Sequence, residues 1–308
     1  MNVIIGIVQA LLVVLLAPFV SGMARVIRAK IHTRKGPSIW QDYYDIAKLF
    51  KRQDLHSSES SFVHKLMPPL FLGVMLVLSF GIPMIARYAP FTALGDIILI
   101  IYLMALPRFF FSLSAVDSGS TYSGVGGVRE LLVGVLVEPS MMLALFVAAL
   151  VCGTTNLTAM GLVVSTGGVP SPVAFVIAGI AFACACYVEL GKLPYDMAEA
   201  EQEIQEGPLQ EYSGSSLALV KIGMSMKQIL VVSWFIAIFL PWGSALDYSA
   251  VSLLVGLVVW LVKLLVIMVI CCLFENVVAR VRYKFLGQQT WAFVGIAACA
   301  FVFCLLGI

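Results

Sequence analysis

Eight apolar stretches, at residues 2–20, 66–87, 94–114, 128–153, 172–192, 225–245, 250–275 and 288–307, constrain this chain more than any other feature. Each is about the length an α-helix needs to cross roughly 30 Å of hydrocarbon, which is ~20 residues. Backbone polar groups in lipid must be satisfied within the segment itself, so apolar runs of this length read as helices. The expected fold is all-α: a polytopic membrane protein of about eight transmembrane helices, forming a single integral membrane domain over 1–308. Pro107 and Arg108 interrupt the third stretch. At 61% hydrophobic, 12% charged and mean hydropathy +1.02, the chain carries far more apolar surface than a soluble core requires. A net charge of +2 without a clustered basic face argues against nucleic acid as a partner.

Charge asymmetry orients the bundle. The first stretch lacks the basic leader of a signal peptide and is followed by its positive charges, so it reads as a retained helix. Arg25, Arg28, Lys30, Arg34, Lys35, Lys48, Lys51, Arg52 and Lys65 lie between the first two stretches, and Arg280, Arg282 and Lys284 precede the last. Arg129, Lys192, Lys221 and Lys227 border loops on the same side, whereas the other side offers only Arg87. The positive-inside rule then puts the two long polar loops, 21–65 and 193–224, on the cytoplasmic face of the inner membrane, with both termini on the periplasmic side. Within the first loop, Ile39, Tyr43, Ile46, Leu49 and Phe50 recur at helical spacing, with Lys48, Lys51 and Arg52 late in the segment. This predicts an interfacial amphipathic helix or a short helix packed on a soluble partner.

Few side chains here suit bond chemistry. The seven cysteines, from Cys152 to Cys304, sit in or at the ends of apolar runs without a CxxC, so they read as small buried hydrophobes. His32, His56 and His64 lack metal spacing and read as solvated. Ionisable residues in or beside the apolar runs are more informative: Asp96, Arg108, Arg129, Glu130, Glu138, Glu189, Lys263 and Glu275. An unpaired charge at mid-bilayer costs about 2.5–3.5 kcal/mol on insertion scales, so such groups should face the bundle interior and find partners. Glu138 and Lys263 are expected on an intramembrane polar axis with Arg129, as a proton path or as a structural ion pair. Arg108, Asp96 and Glu275, near helix ends, read as snorkelling or capping groups.

The stretch from Glu189 to Tyr212 is the least membrane-like part of the chain. After Lys192 no Lys or Arg appears until Lys221, yet Asp196, Glu199, Glu201, Glu203, Glu206 and Glu211 all fall in that interval. Asp196, Glu199, Glu203 and Glu206 are spaced to line one face of a helix, which is either a proton relay or a clasp for basic residues of a partner.

Three ordered motifs resemble one family. Glu189…Lys192-Leu-Pro-Tyr-Asp-Met-Ala-Glu-Ala-Glu-Gln-Glu-Ile…Glu211-Tyr212 resembles the signature loop of the respiratory complex I membrane subunit that adjoins the quinone site. Arg34-Lys-Gly36-Pro37 with Asp45 and Lys48 resembles that family's first cytoplasmic loop, and Gly126-Gly-Val-Arg129…Glu138 its fourth-helix motif. Lys192, where the complex I branch usually has Arg, and the segment Ser114-Ala-Val-Asp117-Ser-Gly-Ser-Thr-Tyr122 are instead similar to membrane anchor subunits of [NiFe] hydrogenases of the formate hydrogenlyase type. The resemblance implies a noncatalytic anchor that binds no metal itself. It implies hydrogenase small and large subunits docked on the cytoplasmic loops and carrying the nickel–iron centre and iron–sulfur clusters. Antiporter-like membrane subunits would lie alongside. A quinone-site subunit of an NADH:quinone oxidoreductase-like complex and a self-contained ion transporter are the rival expectations.

Overall fold

The computed structural model describes residues 2–57, 60–198 and 200–307. Its helices are, in order, α1 (Asn2–Ile31), α2 (Gln41–Phe50), α3 (Phe62–Gly81), α4 (Ile97–Asp117), α5 (Thr121–Cys152), α6 (Leu157–Ser165), α7 (Pro172–Glu189), α8 (Glu201–Ile204), α9 (Gly214–Phe239), α10 (Ala250–Val277) and α11 (Leu286–Leu306). No strand occurs among the described residues. Eight of the helices (α1, α3, α4, α5, α7, α9, α10 and α11) are long and apolar enough to cross a membrane. Pro107 leaves α4 continuous through Asp117. Two helices begin earlier than hydropathy indicates: α5 at Thr121 and α9 at Gly214, in segments rich in Gly and Ser that dilute the apolar signal without breaking the hydrogen-bond ladder.

The central post is α9, the most buried of these helices, which neighbours α1, α2, α3, α6, α7 and α10. Lipid removes the hydrophobic drive between helices, so close packing must hold them. Here Trp234, with no exposed surface, meets Phe182 edge-on at 5.2 Å, and Phe239 lies tilted against Phe175 at 4.9 Å. On the far side of the bundle α5 packs against α4, α7 and α11.

The two long polar loops share one face, where they bind each other. Asp54 of the first loop accepts hydrogen bonds from Ser215 Oγ, Ser216 Oγ and Ser216 N, placing a carboxylate at the N-terminus of α9, where the helix dipole favours it. Ser213 Oγ accepts from Leu55 N and donates to Leu55 O. Asp117, at the end of α4, accepts from Ser61 N and Ser61 Oγ and so anchors the start of α3. The amphipathic segment forms α2, which lies on α1 and α9 of the same chain, with Arg25 paired to the buried Asp42 at 2.9 Å. Trp40, Tyr44 and Phe50 stay exposed. Of the first-loop motif, Asp45 accepts from Gln41 at 2.9 Å and faces Arg25 at 3.9 Å. Gly36 lies where a Cβ would come within 2.7 Å of Ala29 Cβ, so it lets the loop run close along α1. Arg34, Pro37 and Lys48 are exposed on this face.

One histidine departs from the solvated reading. His64 is only 1% exposed, lies in the first turn of α3 and stacks flat on Tyr212 at 4.2 Å. The tie between the two loops buries it, a tertiary contact that spacing alone does not disclose.

Candidate functional site

Beneath the acidic loop, five charged side chains from four helices converge. Arg108 of α4 is the hub: its guanidinium donates to Glu138 Oε1 at 2.9 Å, to Glu130 Oε1 at 3.4 Å and to Glu189 Oε2. Lys227 of α9 approaches Glu189 at 3.3 Å and Glu130 at 3.9 Å. Glu189 and Arg108 are nearly fully buried, with side-chain exposures of 3% and 6%. Three carboxylates thus share two cations, leaving one excess negative charge in a poorly solvated place.

Local sequence explains how the cluster fits. Gly134, one turn from Glu130 and one from Glu138 on α5, sits where a Cβ would come within 2.6 Å of Arg108 Cδ and Nη1. Any larger residue would therefore displace the guanidinium. Pro107 removes a backbone donor immediately before Arg108, and Pro139 does so immediately after Glu138, each freeing the carbonyl four residues earlier.

A cavity of about 720 Å³ joins this cluster to the acidic loop. Arg108, Glu130, Glu189, Lys227 and Asp196 line it together with Phe71, Met104, Phe111, Val133, Met197 and Met224. Glu189 Oε1 is buried there and meets no hydrogen-bond donor among the described residues, a position that calls for water.

The loop itself is not a continuous acidic helix. Helix α8 covers only Glu201–Ile204, because Gln205, Glu206 and Gly207 take successive left-handed conformations at φ +50°, +66° and +50°. Asp196 precedes this helix and Glu206 follows it, so these two do not share a helical face with Glu203. Asp196 pairs with Arg280 at 2.8 Å and Glu203 with Arg129 at 2.7 Å, while Arg129 also covers the Tyr283 ring. Val281 N donates to Pro194 O, so the segment before α11 clasps the acidic loop. Glu203 and Glu206 are exposed on the loop face, and Glu211 is half-buried. Lys192 is buried with its ammonium 4.0 Å from Cys272 Sγ. Glu199 lies outside the described residues, as does the side chain of Glu201. The 3-10 turn Gly207–Glu211 rests on α5, where a Cβ at Gly126 would meet Pro208 Cδ at 2.6 Å.

Two expectations about intramembrane charges change. Arg108 is not a snorkelling group near a helix end, since it is buried and holds three carboxylates. Lys263 does not join Glu138. Although central in α10, its ammonium donates to Leu240 O at 2.6 Å and to Trp242 O, capping the opposite end of α9 from the acidic loop. Arg129 likewise belongs to the loop rather than to the buried cluster. Asp96 caps α4 by accepting from Ile98 N, as read from sequence. Glu275, in contrast, is buried and ion-paired with Arg28 across the bundle.

Comparison with known proteins gives a family profile, NADH dehydrogenase, that matches residues 3–306. The chain belongs to the NADH dehydrogenase family. Among curated relatives in this family, hydrogenase-4 component C of Escherichia coli (strain K12) is 46% identical over 99% of this chain and 97% of that protein. Formate hydrogenlyase subunit 4 of the same organism is 43% identical over 98% of each. A more distant relative, an NADH-quinone oxidoreductase subunit of Wolbachia pipientis wMel, is 24% identical over 94% of this chain and 92% of its own length. Among solved structures, a chain of the archaeal membrane-bound sulfane sulfur reductase superposes with a TM-score of 0.86 at 24% identity. It covers 97% of this chain and 99% of that one, a likeness of fold.

Proposed function

We propose that this chain is a noncatalytic membrane subunit of a formate hydrogenlyase-type [NiFe] hydrogenase complex in the inner membrane. In this reading hydrogenase small and large subunits dock on the face formed by loops 32–61 and 190–213. Those subunits carry the nickel–iron centre and the iron–sulfur clusters, while antiporter-like membrane subunits pack laterally. The observation that carries the proposal is near-full-length likeness to two hydrogenase membrane subunits. The geometry supports it: the acidic loop exposes Glu203 and Glu206, and its Asp196 lines a cleft shared with Glu130 and Glu189 of the buried cluster.

The chemistry of coupling is proton or ion movement, not bond making. A cluster with one excess negative charge in low dielectric can take up a cation, and the shared cations Arg108 and Lys227 keep its carboxylates paired through the exchange. Glu189, whose Oε1 faces the cleft without a donor among the described residues, would exchange a proton with water there, while Arg108 holds it in one cluster with Glu130 and Glu138. Purification of the tagged chain from native membranes tests the proposal. Nickel-containing partners should copurify in stoichiometric amount; a stable, partner-free chain that alone supports ion flux would replace it with the transporter reading.

One observation favours a second reading, a quinone site. The cleft has apolar walls of Phe71, Met104, Phe111 and Met224 beside its charged groups, the mixed lining of small-molecule sites. Bound quinone in the purified complex, displaced when Met224→Trp fills the cavity, would establish that reading.

A further inference from the structure

On the face opposite the acidic loop, three connections join the helix ends, at residues 82–96, 153–171 and 240–249. Together they contain one Lys or Arg, Arg87. A lone cation there runs against the charge bias of the chain and asks for a local reason. Arg87 lines a shallow, partly open cleft, and so does Lys263, which reaches the same place from the middle of α10. No carboxylate lines this cavity. Among the described residues neither cation has an ion-pair partner, and the nearby Asp247 is exposed without approaching either one. Arg87 Nε is buried and has no hydrogen-bond acceptor.

The backbone holds the pair in place. Arg87 N donates to Ala245 O at 2.9 Å, and Ala245 N donates to Ile85 O at 3.1 Å, which fixes the 82–87 segment against the 240–245 turn. Lys263 is fixed by Leu240 O and Trp242 O and keeps a third donor free. The same connections expose Tyr88, Trp242 and Tyr248, the residue types that settle at a membrane–water interface. From the cavity edge an exposed apolar stripe of α10 runs along Val255, Val258 and Val262.

Two cations lining one cleft, a buried guanidinium donor without an acceptor and no carboxylate in the lining describe an anion site. We propose that the Arg87–Lys263 cavity binds a phosphate-bearing anion, either the headgroup of an acidic phospholipid or free inorganic phosphate. Arg87 would supply paired donors to two phosphate oxygens and Lys263 a point charge to a third. For a lipid, the acyl chains would continue along the α10 stripe. This site is independent of the buried cluster and of the hydrogenase reading.

The test uses the detergent-solubilised full chain, with any copurifying partners left in place. Native mass spectrometry and thermal unfolding are read against phosphatidylglycerol, zwitterionic phosphatidylcholine and inorganic phosphate. Wild type should bind phosphatidylglycerol in preference to phosphatidylcholine, and Arg87→Gln should weaken that binding at least tenfold. Arg87→Lys should keep most of it. Lys263→Gln, which retains an amide donor for the two carbonyls, should also weaken it, so the conclusion does not rest on one variant's folding. If inorganic phosphate alone gives the same variant-sensitive stabilisation, the free ion is the occupant. Equal binding of both lipids, or binding that neither substitution changes, overturns the proposal.

Discussion

Replacing Arg108 with Met gives the sharpest view of the buried cluster. The side chain keeps an unbranched apolar stem but loses every donor, and Glu138, Glu130 and Glu189 lose the cation they share. Only Lys227, 3.3 Å from Glu189 and 3.9 Å from Glu130, then remains to compensate. Removing one partner of a buried pair typically costs about 3–5 kcal/mol, because the remaining charge is stranded. Arg108→Met should fall in that range. Glu189→Gln should cost less, since Arg108 retains Glu138 and Glu130. The double variant should be more stable than the sum of the singles by about 1–3 kcal/mol, the coupling expected of contacting residues. Unfolding of the purified chain in mixed micelles, followed by far-ultraviolet circular dichroism over a denaturing-detergent titration, measures all four proteins. Additivity within about 0.5 kcal/mol would refute the pairing of Arg108 with Glu189.

Other predictions follow from single contacts. Gly134→Ala places a methyl against the guanidinium, 2.6 Å from Arg108 Cδ before relaxation, and should cost about 1–3 kcal/mol in the same titration; Gly124→Ala, with nothing within 4 Å, should not. Glu203→Gln removes a pair whose carboxylate is half exposed, so stability should change by less than about 1 kcal/mol. The same substitution should weaken retention of the soluble module, read as the salt concentration that strips it from washed membranes. Burial pushes the Tyr212 phenol above its usual range, while its hydroxyl donates to Ser114 Oγ at 2.9 Å. An acid with a raised folded pKa adds stability that is complete below its unfolded value of about 10 and is lost as pH rises further. Tyr212→Phe should therefore be less stable than wild type by about 1 kcal/mol at neutral pH, with the gap closing above about pH 10 in thermal melts.

The spans were legible because hydropathy over ~20 residues is a local property, and the structure's eight apolar helices match the eight stretches in order. The ends were less so. Gly- and Ser-rich starts at Thr121 and Gly214 look like loop, and α1 continues to Ile31 through basic residues that hydropathy treats as loop. Glu138 and Glu189 were legible as members of a buried polar set because charges in lipid need partners. Their actual hub was not, since Arg108 lies nine residues before the end of α4 and only tertiary packing shows that it points inward. Gly134 was the available signal: a small residue between two glutamates one turn away on either side leaves room for something large. Lys263 misled for the converse reason, as a residue midway along a helix can lie beside the end of its neighbour. The acidic spacing suggested a long helix, but periodicity cannot reveal that the chain is not helical at Asp196, that Gln205 and Glu206 turn left-handed after one turn, or that Arg280 and Arg129 pair with Asp196 and Glu203.

The most direct test of the account is where hydrogenase activity goes when this chain is removed from its native cell. With the chain present, hydrogen evolution with an artificial electron donor should sediment with washed membranes. In its absence the account predicts that the same activity appears in the soluble fraction. Activity that remains on the membrane without the chain would contradict it.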